Sequence, residues 1–200
     1  MDRTSVTEVE KQKRTQHYDV LTELGDCYTS VGNYSQAHRC YEKAALLGPD
    51  EPGPYIGLGV GAIQKGCLED AEIAFRVACR LDPRCAKAYA GLAMVAQQRR
   101  DFAGAHDLYV KSLDLDNNNL AVLSGFFQTS CETRSFQHVI QYLETYLQSH
   151  PGETRAMFAL AMSYQKTGQT EMCKSMLLNL LALEPNNADA VNLLGAENDS

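Results

Sequence analysis

A spacing of 34 residues governs this chain. The stretch LGDCYTSVGNYSQA (24–37) is followed, with no gap anywhere in the series, by LGVGAIQKGCLEDA (58–71), LAMVAQQRRDFAGA (92–105), FFQTSCETRSFQHV (126–139) and LAMSYQKTGQTEMC (160–173). A fixed period of this size marks a small unit that cannot bury its apolar face alone, so neighbouring units must stack. The 200 residues, 44% of them hydrophobic, can run as one continuous stack.

Each unit reads as two short helices. In the first, Leu21, Leu24 and Tyr28 recur at three and four residues and share one helical face. Gly32-Asn33 then breaks the pattern, because glycine tolerates the left-handed backbone of a tight turn. Ala37, Tyr41 and Ala44 stripe the second helix, and Leu47-Gly48-Pro49 ends it. The site of Leu21 returns as Tyr55, Tyr89, Leu123 and Met157, and that of Leu24 as Leu58, Leu92, Phe126 and Leu160. Tyr41 returns as Phe75, Tyr109, Leu143 and Leu177, and small residues recur at Gly25, Gly59, Ala93 and Ala161. Proline recurs in phase at Pro49, Pro83, Pro151 and Pro185. All these side chains are expected in the core, filling volume.

These residues resemble the tetratricopeptide repeat, whose pattern sets a large apolar residue, Leu-Gly, Tyr, Ala, an aromatic, Ala and a closing Pro over 34 positions. The resemblance covers residues 18–187 as five units (18–51, 52–85, 86–119, 120–153 and 154–187). Residues 1–17 form a polar leader, helical or disordered, which Val6 and Val9 could carry into a leading helix. Residues 188–200 form a partial sixth repeat or capping helix. The fold implied is all-α, a right-handed α-solenoid of antiparallel helix pairs. The unit 120–153 matches least: Phe127 replaces a small residue, and Val139 and Tyr146 replace two alanines, so looser or shifted packing is expected there.

The resemblance further implies that the first helices line a concave groove that binds a peptide or a partner's helix. Helical geometry places Glu23, Asp26, Ile56, Val60, Ile63, Lys87, Met94, Gln98, Gln128, Arg155, Phe158, Met162 and Lys166 on the side opposite the core stripe. Many are apolar where water should favour polar groups. Gly57, Gly91 and Gly125 recur on this side, where a side chain would narrow the channel. Acid collects at one end, with six acidic and two basic residues over 18–51 against two and three over 154–187. An apolar floor between an acidic and a basic end suits a protein or peptide partner. Co-chaperone members of the family grip a chaperone tail's carboxylate with lysines and asparagines. The matching positions hold Thr22, Asp26, Ile56, Val60, Ala90 and Met94, so that role is set aside. Two further readings stand beside the interaction module. One is a self-associating scaffold, a homodimer through the groove or the C-terminal end; the other is the regulatory or targeting segment of a larger enzyme. The second helix of the fifth unit (Met176, Leu177, Leu180, Leu181, Leu183) motivates both, being more apolar than the short stretch after it can cover.

Composition excludes several classes. With 18 basic and 25 acidic residues the chain carries a net charge of −7, and nucleic-acid binding needs a basic face. No apolar run approaches the roughly 18 residues that span a bilayer, so no membrane insertion is expected. Seven cysteines without a CxxC pair argue against a disulfide framework or a thiolate metal site, and suit a cytoplasmic protein. No catalytic motif is present: GLGVG (57–61) lies inside a helical repeat, and no GxSxG or HExxH occurs. His38 and His106 hold equivalent positions on second helices and are expected to be solvated, while His17 and His150 read as leader and turn residues. No enzymatic activity, cofactor or metal is expected.

Overall fold

The computed structural model describes residues 3–198, with side chains described from residue 12 to residue 196. Its regular structure there is entirely helical: α1 (Arg3–Ser30), α2 (Tyr34–Leu47), α3 (Pro52–Gln64), α4 (Leu68–Leu81), α5 (Ala86–Gln98), α6 (Phe102–Leu115), α7 (Leu120–Thr133), α8 (Gln137–Ser149), α9 (Thr154–Lys166), α10 (Thr170–Leu183) and α11 (Ala188–Asn198). The chain forms two compact units, Met1–Val95 and Ala96–Ser200.

In the first unit α1 packs on α2, α2 on α3 and α3 on α4, with α1 and α3 side by side. The second helices bury a small–large–small stripe, Ala37, Tyr41 and Ala44 in α2 and Ala71, Phe75 and Ala78 in α4. Each ring lies against two glycines. A Cβ at Gly25 or Gly57 would collide with the Tyr41 ring, and one at Gly59 or Gly91 with the Phe75 ring. One glycine of each pair comes from the helix before the ring and the other from the first helix after it. Gly57 and Gly91 are therefore not the floor of a channel. They are the sockets that let successive repeats close on an aromatic side chain.

α1 runs unbroken from residue 3 through the polar leader into the first repeat. Arg14 Nε donates to the Leu47 carbonyl at 2.7 Å, fastening the leader to the C-terminal end of α2, where unpaired carbonyls favour a cation. The side chains of Val6 and Val9 lie outside the described residues. Leu24 is 41% exposed rather than core, whereas Leu92, at the same repeat position in α5, is buried.

In the second unit α6 packs on α7, α8 on α9, α9 on α10 and α10 on α11, with α7 beside α9. Phe126, Leu143, Leu160 and Leu177 form the large residues of its core. Gly125 takes up the Tyr109 hydroxyl as Gly91 takes up Phe75, so it too is a packing position. α7 and α8 meet over a smaller seam than α1–α2, α3–α4 or α9–α10. There the aromatic has moved: Leu143 stands at the ring position, and Phe127 supplies the bulk from the facing helix, its ring 6.4 Å from Phe136. Val139 and Tyr146 are buried at alanine positions. Beyond α10, Ala190 of α11 is fully buried, but Met172, Leu178, Leu183 and Val191 remain exposed.

The turns between paired helices share one backbone solution. Gly32, Gly66 and Gly168 have φ of 75°, 76° and 73°, and Arg100 and Arg134, in phase with them, have 63° and 55°. The geometry of the stack imposes a left-handed residue at all five turns, although only three carry glycine. An L-residue there costs about 1–2 kcal/mol, and glycine gives back part of that in unfolded-chain entropy. Arg134→Gly is therefore expected to stabilise the second unit by up to about 1 kcal/mol in urea denaturation; a loss of stability would show that the arginine side chain contributes more than its backbone costs.

Candidate functional site

The residues expected on the groove side fall on neighbouring first helices within each unit. In the first unit α1 presents Glu23 and Asp26 to solvent, α3 holds Ile56 and Val60 half-buried, and α5 presents Lys87 together with Met94, which is 42% exposed. Ile63 is a correction: at 8% exposure it belongs to the core, one turn beyond Val60, where α3 turns its face inward. Ala90 and Gly91 are likewise buried. Asp26 is not a free charge, for its carboxylate accepts the Tyr41 hydroxyl at 2.6 Å. Burial first, and then this hydrogen bond to a carboxylate, push the Tyr41 hydroxyl up to about 12, so it remains the donor at neutral pH.

In the second unit α5 presents Gln98, α7 presents Gln128, and α9 presents Arg155 and Lys166 with Phe158 and Met162 half-buried between them. Gln97 is the hinge of a polar chain: Tyr109 donates to its Oε1 at 2.8 Å, and its amide donates to Gln128 Oε1 at 3.4 Å. Lys166 lies close enough to Cys131 for its charge to oppose the rise that burial imposes on that thiol. Arg155 Nε donates to Glu153 at 3.1 Å. Within each unit the first helices thus carry half-buried or exposed apolar side chains beside charged ones.

His106 departs from expectation. Its side chain is 18% exposed, its Nε2 lies 3.2 Å from His138 Nδ1, and its ring stands edge-on to Phe126. Sequence reading missed the pair because His138 arrives from α8, 32 residues away. His38, at the equivalent place in the first unit, is half exposed beside Glu42 at 3.3 Å. Among the described residues no group of three or more His, Cys, Asp or Glu converges to hold a metal. Cys40 and Cys173 are buried, but Cys27, Cys67 and Cys131 are exposed, so the thiols are not uniformly core.

Tetratricopeptide repeat family models match residues 20–55 and residues 154–187. These two segments are tetratricopeptide repeats. The repeat protein is 35% identical over 89 residues to the type IV pilus assembly protein PilF of Pseudomonas aeruginosa, a match covering 44% of this chain and 35% of PilF. It is 26% identical over 190 residues to the CTR9 homolog of Arabidopsis thaliana, covering 88% of this chain and 17% of that protein. The chain thus spans about a third or less of these relatives. The solved structure of Pseudomonas aeruginosa PilF superimposes with a TM-score of 0.75 at 17% identity, over 90% of this chain and 82% of that one. YrrB, a TPR protein with an unusual peptide-binding site, superimposes with a TM-score of 0.65 at 17% identity, over 86% and 89%. These likenesses establish the tetratricopeptide fold. No helix among the described residues is long and apolar enough to cross a membrane.

Proposed function

We propose that this tetratricopeptide repeat protein is a cytoplasmic interaction module, without catalysis of its own, that captures a segment of a partner protein on its first helices. The division into units 18–51, 52–85, 86–119, 120–153 and 154–187 belongs to the same proposal. The observation that carries it is the partial exposure of large apolar side chains on these helices: Ile56, Val60 and Met94 in one unit, Phe158 and Met162 in the other. Every other large residue of α9 at core spacing, Met157, Leu160 and Tyr164, is buried, so Phe158 and Met162 reach solvent by position and not through loose packing. In the first unit Glu23 would orient a basic group of the partner and Lys87 an acidic one, and in the second Lys166 an acidic one. The peptide-binding site of YrrB supports the reading, and seven cysteines without a CxxC pair suit the compartment.

A partner recovered from native extract by the wild-type chain should be lost, more than tenfold, by Phe158→Glu, and by Met94→Glu, with helicity and melting nearly unchanged. Equal capture by both variants would overturn the proposal, and unfolding by either would place that residue in the core. A second reading is favoured by Met172, Leu178 and Leu183, exposed along α10. A stable homodimer in light scattering, dispersed by Leu178→Glu and indifferent to Phe158→Glu, would put self-association first.

A further inference from the structure

The first unit holds a recess of about 450 Å³ between α2, α3 and α4, away from the residues proposed above. Tyr55, Leu58, Ala62, Ala74 and Val77 form its apolar walls, Ile73 its lip, and His38, Lys65 and Asp70 its rim. The sequence period gives this place a twin. Adding 68 to Leu58, Ala74, His38 and Asp70 gives Phe126, Tyr142, His106 and His138 of the second unit. Those four form a chain of ring contacts. Phe126 and Tyr142 meet edge-to-face at 6.1 Å, His106 meets Phe126 at 5.2 Å, and His138 meets His106 at 5.2 Å. Where the second unit is filled by an aromatic side chain of its own, the first has Leu58 and Ala74 and stands open.

We propose that this recess binds one phenylalanine side chain of a partner protein, seated where Tyr142 sits in the twin. The ring is the occupant because a ring is what the same helix geometry accepts, at 6.1 Å from Phe126, in the filled copy. The absence of a hydroxyl follows from the surroundings. Tyr142 donates to Asp114, but the matching position is Leu46, 79% exposed, and the position of Gln141 is Ile73, 63% exposed. Asp114, which receives Tyr142 in the second unit, is thus matched by an exposed aliphatic in the first. Charge agrees: Lys65 and Asp70 offset each other on the rim, so the recess complements an uncharged side chain and gives an ionic one no partner. A buried aromatic contributes about 150–250 Å² of contact, enough for a specificity pocket within a larger interface.

The experiment titrates the full chain, by methyl NMR, with blocked pentapeptides acetyl-Ser-Gly-X-Gly-Ser-amide in which X is Phe, Tyr or Ala. The expected result is shifts confined to Leu58, Ile73, Ala74 and Val77 methyls, with Phe binding several-fold tighter than Tyr and Ala not binding. Ala74→Tyr, which closes the recess as the second unit closes its own, should raise the melting temperature and weaken Phe-peptide binding at least tenfold. Leu46→Asp, an exposed change that leaves the fold alone, should bring Tyr level with Phe and decides the matter if Ala74→Tyr does not fold. Phe and Ala peptides behaving alike, shifts spread over other helices, or undiminished binding by a folded Ala74→Tyr would each overturn the proposal. Phe158→Glu leaves this binding unchanged, so the outcome is separate from that of the first-helix face.

Discussion

Phe75→Ala is expected to destabilise the first unit by about 3–5 kcal/mol, the cost of deleting a fully enclosed ring that its surroundings cannot refill. The ring is 1% exposed and is held by α4 between Gly59 and Gly91. The glycines make the prediction sharper. In the wild-type background Gly91→Ala gains helix propensity of roughly 0.5–1 kcal/mol, yet its Cβ would overlap the Phe75 ring, so a net loss of about 1–3 kcal/mol is expected. In the Phe75→Ala background the same methyl enters empty space, the clash disappears and only the propensity gain remains. Gly91→Ala should therefore reverse sign and become stabilising. Urea denaturation of the wild type, both single variants and the double variant gives the coupling, expected at about 1.5–4 kcal/mol. Additive effects within 0.5 kcal/mol, the usual scatter for independent sites, would mean that the ring and the glycine do not share one space.

This coupling also shows where sequence reading stops. The period places Tyr41, Phe75 and Tyr109 and their flanking alanines on the buried stripe, and all three rings are buried. A period is a statement about one unit and its copies, so it captures whatever every copy shares. It does not say from which side a neighbour arrives. Gly57 and Gly91 recur in phase, and a recurring glycine reads equally well as open space or as a socket for a ring. Only the stack shows that the ring comes from the second helix of the preceding repeat. Ile63 and Leu24 fail for a related reason. Ile63 lies where α3 turns its face into the core, and Leu24 is exposed where Leu92, Phe126 and Leu160 at the same repeat position are buried. The left-handed arginines at 100 and 134 carry no turn signal of their own, but their phase with Gly32 and Gly66 would have located them.

The candidate site was less legible than the fold. Exposure of Glu23, Lys87, Gln98, Gln128, Arg155 and Lys166 follows from helical geometry alone, since polar residues opposite a core stripe face water. The half-burial of Ile56, Val60, Phe158 and Met162 depends on how closely adjacent first helices approach, which is a property of the small residues between them. The pairing of His106 with His138 and the recess opposite Leu58 depend on a comparison of copies two repeats apart. The 68-residue shift that exposes the contrast between Ala74 and Tyr142 was present in the sequence, but a search for shared features passes over a difference between copies.

Alkaline pH should weaken this fold through its tyrosines, and Tyr109 gives the clearest case. Its ring is 1% exposed, and burial pushes its hydroxyl up to about 12. In the unfolded chain the same hydroxyl titrates near 10. Because the folded state holds its proton more tightly, Tyr109 contributes its stabilisation fully below about pH 10 and loses it as pH rises from 10 through 12. A two-unit difference at 1.36 kcal/mol per unit sets the loss at up to about 3 kcal/mol. Tyr41 and Tyr142, each also pushed up to about 12 by burial and then by a hydroxyl donated to Asp26 and Asp114, act in the same direction. Tyr109→Phe removes the titrating group but leaves Gln97 Oε1 without its donor, so the variant should be less stable than wild type at pH 8 by about 1 kcal/mol. From pH 10 to 12 its stability should fall less steeply, and the two curves should converge or cross. Lysine and cysteine titrations are common to both proteins and cancel in the difference. Parallel curves would show that the Tyr109 hydroxyl is as free to ionise in the folded protein as in the unfolded chain, and that the Tyr109–Gln97–Gln128 chain does not hold the second unit together.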